Sequence, residues 1–185
     1  MPNQVVSFDD EKLILVDEND NVIGYENKDT CHNGEGLLHR AFSIFIFNRN
    51  NELLLQQRHS DKRLWGEFWS NTCCSHPRKG ENYAQATVRR LAEELGFQAK
   101  MQYLFRFQYH AKFEDKGSEN ELCSVYVGRS DENPKINETE IMNWKYISIP
   151  DLNRELLLNP NLYTPWFKME WERIIREYLD EIYEL

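Results

Sequence analysis

Five residues in three separated segments have the types that hold a divalent ion: His32, His39, His76, Glu119 and Glu121. The two glutamates stand two apart in ENELCSVYV, so on a strand both carboxylates project from one face. Such a pair is ordinarily a solvated edge. Here LCSVYV reads as interior strand, and acids entering a buried strand need a cation or protons to offset desolvation. Three imidazoles with two carboxylates suit a divalent transition ion, or Mg²⁺ or Mn²⁺ in a six-coordinate site. The stretch SNTCCSHP adds Cys73 and Cys74 just ahead of His76. These thiols could form part of a zinc site, a redox pair, a nucleophile or a packed core. No CxxC pair supports zinc, and a bond between neighbouring cysteines requires strained geometry.

A second group is cationic. Lys28, Arg58, Lys62, Arg89 and Arg90 lie in segments flanking the same loops. Singly each is an ordinary solvated charge; together around a cleft they would clamp a diphosphate, arginine bidentately and lysine as a point charge. The overall formal charge of −9 argues against a nucleic-acid backbone as partner and leaves a small phosphorylated ligand open.

The elements that must position these groups are legible from periodicity. With 185 residues, 41% hydrophobic and 13% aromatic, and no repeat or Pro/Gly-rich linker, residues 1–185 read as one domain with a sizeable core. The opening MPNQVVSFDDEK lacks the basic start and apolar run of an export signal, and apolar runs such as IFIF are far too short to span a bilayer. A cytoplasmic chain with free thiols and no membrane partner is expected. KLILVD and VIGYEN alternate around ENDN as a hairpin, and AFSIFIF and ELLLQQR around NRNN as a second. KDTCHNGEGLLHR between them reads as a loop leading into strand, punctuated by Gly34 and Gly36. NYAQATVRRLAEELG predicts a helix capped by Asn82 and Gly96, with Val88, Leu91, Ala92 and Leu95 facing inward. QYLFRFQYHAKF predicts a strand with Tyr103, Phe105, Phe107 and Tyr109 on one face, and NELCSVYVG and MNWKYIS predict two more. A short helix over Pro150 to Leu158 precedes a long amphipathic one, capped by Thr164 with Pro165 in its first turn. The pattern is a mixed α+β sandwich.

Read back from Gly96, the helix carries Ser75-x5-Glu81-x7-Arg89-Arg90-Leu91-x-Glu93-Glu94-x-Gly96-Phe97. This resembles the Nudix box, G-x5-E-x7-R-E-U-x-E-E-x-G-U with U a bulky apolar residue. Ser75 replaces the first glycine, and Arg90 replaces a glutamate that in Nudix hydrolases holds Mg²⁺. That exchange weakens a diphosphohydrolase reading, the alternative here, while keeping the diphosphate. WSNTCCSHP, LLHRAFS, ENELC and YTPWF resemble, in order, the motifs of type 1 isopentenyl-diphosphate isomerases, W-[ST]-N-[ST]-x-C-x-H-P, L-H-x-A-F, E-N-E-x-C and S-P-W. The match runs from about Lys28 to Trp166, with Thr164 where the family often has serine.

The resemblance implies a Nudix-like α/β/α sandwich with a mixed sheet, an N-terminal hairpin extension and a long C-terminal helix. It implies an enzyme interconverting isopentenyl and dimethylallyl diphosphate by protonation and deprotonation through a tertiary carbocation. Carried over by motif, Cys74 is the thiol on one face and Glu121 the proton-shuttling carboxylate on the other. Tyr109 hydrogen-bonds nearby, and Trp166 places its indole against the cation. His32, His39, His76, Glu119 and Glu121 match the family's metal set (Mg, Mn or Zn). Lys28, Arg58, Lys62 and Arg90 match its diphosphate contacts, and Glu94 a ligand of the Mg²⁺ that accompanies the diphosphate. Arg89 is expected to pair with Glu93, while Cys73, His59 and His110 have no family role. The implied partner is the small diphosphate alone, with the chain a monomer or weak homodimer.

Overall fold

The computed structural model describes residues 4–185; of the stretch read as lacking an export signal, residues 1–3 lie outside them. Strands β1 (Lys12–Val16) and β2 (Val22–Asn27) form the expected hairpin. Its turn is built locally: the Asp17 carboxylate accepts from the backbone N–H groups of Asn19 and Asn21, each at 2.9 Å. The segment read as a loop after β2 begins with a single turn of helix, α1 (Lys28–Cys31).

The second expected hairpin is a fork. β3 (His39–Phe47) and β4 (Glu52–Arg58) pair only at Phe47 with Leu53 and then diverge. The free edge of β3 runs parallel to β8 (Gly117–Arg129), while β4 pairs antiparallel with β9 (Ile141–Ser148). Two short strands fill the gap: β5 (Trp69–Ser70) on β4 and β6 (Cys73–Ser75) on β3. The residues between them pin the fork. Thr72 Oγ1 donates to the carbonyl of Leu54 (2.6 Å) and accepts from the N–H of Ile46 (2.9 Å), and Asn71 Nδ2 donates to the carbonyl of Ile44 (3.2 Å). β7 (Met101–Phe113) completes the sheet beside β8. A bulge between Tyr103 and Phe105 puts Tyr103 out of phase with the expected face, so it is exposed while Phe105 and Tyr109 are buried.

Alternation along β3 sends side chains into two cores. Phe42, Ile44 and Ile46 meet Leu91 and Leu95 of α2 (Tyr83–Leu95). Ala41, Phe45 and Phe47 meet Phe167, Trp171 and Ile174 of α4 (Pro165–Glu177), with Leu152 of α3 (Ile149–Leu158). Each of the Leu, Ile and Phe side chains contributes roughly 1.5–3 kcal/mol when fully buried.

Helix α2 is capped as its sequence predicts, by a reciprocal Asn82–Gln85 box and by Gly96 at φ 74°. Its inward face, however, is rotated from the apolar stripe. Val88 and Ala92 are exposed, and Arg90 and Glu94 point inward beside Leu91 and Leu95, an ion pair that lets both charges be buried. Thr164 precedes α4 without a side-chain cap; its hydroxyl meets that of Ser70 at 2.9 Å. The long C-terminal helix is two helices, interrupted at Tyr178 (φ −131°) before α5 (Leu179–Tyr183). Tyr178 stacks on Phe105, and Arg129 donates to the carbonyls of Ile182 and Leu185, which fixes the second piece against the sheet. Among the described residues no helix is long and apolar enough to cross a membrane.

Candidate active site

The candidate residues gather on the α4 side of the sheet. On β3, His39 shares the face of Ala41, Ser43 and Phe45, and it pairs in register with Glu121 of β8. Glu119 lies two residues earlier on that face, and Tyr109 of β7 is opposite Glu121. His32 enters from the turn after α1 and His76 from the residue after β6. The ligand atoms of His32, His39, His76, Glu119 and Glu121 all lie within 4.8 Å of one another.

The outward hydrogen bonds of His32 and His39 leave their Nε2 electron pairs facing inward, while His76 Nε2 hydrogen-bonds Glu121 Oε1 at 2.8 Å. Carbonyls only accept, so His32 Nδ1 donates to Lys28 O (2.7 Å) and His39 Nδ1 to Leu37 O (2.6 Å), which places both protons outside the cluster. His32 Nε2 then faces Glu119 Oε2 at 2.9 Å, and His39 Nε2 faces Glu121 Oε1 at 3.7 Å. His39 Nε2 and Glu119 Oε2 are buried without a hydrogen-bond partner. Burial, then the neighbouring His39 and His32, hold His76 well below its usual range and therefore neutral, the form that ligates. Imidazoles and carboxylates crowded this closely in a buried space suit a divalent cation.

Beside the cluster opens a cavity of about 740 Å³. Cys74, Tyr109, Glu121 and Trp166 line it, with Arg58 beside Cys74 and Trp166, and Lys28, Lys62 and Arg90 line it as well. Tyr109 donates its hydroxyl to Glu121 Oε2 at 2.6 Å, and burial with Glu121 beside it raises the phenol well above its usual range. Burial pushes the Cys74 thiol up to about 12, against the pull of Arg58, whose Nη1 lies 3.6 Å from Sγ. Arg58 is itself anchored on the carbonyls of Leu64 and Trp65, and its guanidinium sits 5.2 Å from the ring centre of Trp166. Cys73, one residue before Cys74 on the same strand, points the other way, into the core with Phe42 and Leu91.

At the cationic end Arg90 Nη2 donates to Glu94 Oε1 (2.5 Å) and Glu140 Oε2 (3.0 Å), and Lys62 bonds the same Glu140 oxygen. Burial, then Lys62 and Arg90, lower Lys28, which donates to the Ser7 hydroxyl. Val5, Ser7 and Asp9 form part of the cavity wall. Two expected residues do not line it. His39 is enclosed behind the cluster to which it belongs, and Glu94 is held inside by Arg90 and by Gln56 Nε2 at 3.3 Å. Arg89 pairs with Glu93 at 3.0 Å as expected, and with Glu81 at 2.6 Å. His59 also borders the cavity, whereas His110 is at the surface against Glu35. Glu140 and the buried Glu170 of α4 were not singled out from sequence. ETEIMNW contains no motif, and Glu170 is one more acid in an amphipathic helix.

The NUDIX domain family matches residues 37–167. Isopentenyl-diphosphate Delta-isomerase 1 of Photorhabdus laumondii is 43% identical over 174 residues, covering 93% of this chain and 99% of that protein. The chain belongs to the isopentenyl-diphosphate Delta-isomerase family. A second relative, isopentenyl-diphosphate Delta-isomerase of Serratia proteamaculans, is 45% identical over 158 residues, 85% of this chain and 88% of that protein. Among solved structures, a Deinococcus radiodurans protein superposes with a TM-score of 0.66 at 24% identity, covering 80% of this chain and 90% of that one. The MutT protein of Methanosarcina mazei Go1 gives 0.61 at 19% identity, covering 76% and 94%. These likenesses establish the Nudix fold. In this isomerase-family chain the β1–β2 hairpin and α5 lie outside the matched NUDIX span.

Proposed function

We propose that this chain interconverts isopentenyl diphosphate and dimethylallyl diphosphate by adding a proton to one carbon and removing one from another. The observation that carries the reading is the placement of Cys74 and Glu121 in one cavity on strands flanking β3, with Trp166 beside them. An alkene is a poor base, so the acid must be held close and the cation stabilised. Cys74 keeps its proton at neutral pH because burial raises the thiol to about 12. Glu121 and the Tyr109 hydroxyl, 2.6 Å apart, form a pair that can hold or pass a proton on the other face. The face of Trp166 offers the tertiary cation an interaction of about 2 kcal/mol in a desolvated site.

His32, His39, His76, Glu119 and Glu121 would hold a divalent ion, Mg, Mn or Zn, whose charge offsets the two buried carboxylates. Lys28, Arg58, Lys62 and Arg90 grip the diphosphate. Glu94 is proposed to serve the Mg²⁺ that arrives with the diphosphate, a role that requires Arg90 to release it. The small diphosphate is the only partner this reading needs, and a cytoplasmic setting agrees with it. Incubating the protein with isopentenyl diphosphate and Mg²⁺ should yield the allylic isomer, followed by NMR. Release of inorganic phosphate without that isomer would turn the reading to a diphosphohydrolase.

A further inference from the structure

The cationic end of the cavity contains a carboxylate that no motif accounts for. Glu140 is 4% exposed, and a single oxygen, Oε2, accepts from Arg90 Nη2 at 3.0 Å and from Lys62 Nζ. Burial works to raise this acid, but Lys62 and Arg90 outweigh it and hold the carboxyl at about 2, so it is charged at working pH. Its backbone is tethered as well. The Glu140 N–H donates to Asn137 O at 2.9 Å, and its carbonyl accepts from the His59 N–H at 3.0 Å. An acid fixed in an anion clamp competes with the anion.

We propose that Glu140 is an internal counter-ion of the clamp, holding Lys62 and Arg90 oriented before substrate arrives and competing with the diphosphate for their donors. The proposal rests on the reading that Lys28, Lys62 and Arg90 grip the diphosphate. Three cations in one desolvated space repel one another, and a carboxylate between two of them offsets that repulsion in the free protein. When diphosphate enters, the same carboxylate opposes it. Substrate and product carry an identical headgroup, so grip on that headgroup is uniform binding and adds nothing to kcat. Unopposed cations would instead delay product departure. Glu140 loosens the part of the ligand that does not change and leaves discrimination to the carbon end.

The test compares Glu140→Gln with the parent, as full-length protein loaded with divalent metal, using inorganic diphosphate as inhibitor and isopentenyl diphosphate as substrate. Inorganic diphosphate should inhibit the variant about tenfold more tightly, with KM falling by a similar factor and kcat not rising. Unchanged or weaker inhibition, with KM unchanged or raised, overturns the proposal and leaves Glu140 as a residue that only orients Arg90. If the glutamine variant does not fold, Glu140→Asp withdraws the oxygen by one methylene and should shift both constants in the same direction, by less. Lys62→Ala separates the two levels of inference. If it fails to weaken inorganic diphosphate, the clamp reading itself falls. If it weakens it while the Glu140 variants tighten nothing, the counter-ion alone is wrong.

Discussion

At the histidine end of the cavity, five ligand atoms crowd within 4.8 Å, two of them buried without a hydrogen-bond partner. At the lysine end, donors converge and Glu140 supplies the charge they need. Both ends bury charge, by opposite means. The first is a group able to bind an ion from outside; the second carries its counter-ion in the chain. The histidine end should therefore respond to chelators and the lysine end to anions. A third buried group, Glu170 beneath Trp166, is offset in yet another way, by keeping its proton. Burial pushes it up to about 8, and its nearest polar neighbours are Cys123 at 3.5 Å and Ser43.

The largest effects should come from breaking the proposed catalytic pair, Cys74 and Glu121. Glu121→Gln and Cys74→Ala should each lower isomerisation about 10³-fold or more while thermal melting shows a folded protein. Retained turnover in a clean Cys74→Ala preparation would remove the thiol from the mechanism. Next, a chelator should lower the melting temperature, because an ion bound only to the folded state stabilises it by mass action. Inorganic diphosphate, held at the lysine end, should stabilise the chelated protein by the same mass action without restoring its bound metal. His39→Ala should reduce the bound metal measured by elemental analysis, and recovery of full metal content would argue that the other four ligands suffice.

Glu170 gives a smaller, pH-dependent effect. Its carboxyl ionises near 4.5 when unfolded and near 8 when folded, so its contribution is intact below pH 4.5 and is lost as pH rises to about 8. Glu170→Gln should remove that dependence, which denaturant melts across this range would reveal as a flatter profile. Thr72→Val, which removes the hydroxyl pinning the fork, should cost about 1–3 kcal/mol in the same melts. Smallest of all, Cys73→Val should leave turnover largely intact. If Cys73 proved essential and Cys74 dispensable, the assignment of the two thiols would be reversed.

Much of this was readable from spacing. The first hairpin, both ends of α2 and the existence of β8 as an interior strand follow from strand composition, alternation and capping chemistry. The metal-type cluster was legible because strand periodicity places Glu119 and Glu121 together, though only the parallel pairing of β3 with β8 brings His39 to them. Alternation identifies a strand but not its partner, so β3 and β4 read as a hairpin when they form a fork. β5 and β6 have two and three residues, too few for any period. The apolar stripe misplaced the buried face of α2 because hydrophobicity alone cannot foresee Arg90 and Glu94 neutralising each other inside. Glu140 depends on Lys62, seventy-eight residues away in the chain. No local pattern announces such a pair.

The fork also settles where protons can travel. Cys74 sits on the strip that fills the gap, opposite Ser43, while Glu121 sits on the strand beyond the far edge of β3, opposite His39. One strand therefore separates their strands, and four residues of β3, roughly 13 Å at about 3.3 Å each, separate their rungs. Each is occupied by its own neighbours, Cys74 by Arg58 and Glu121 by His76 and Tyr109. A proton passing directly from one side chain to the other would have to bridge that offset. On the proposed reading, the substrate's carbon skeleton would lie between them in the cavity that both side chains line.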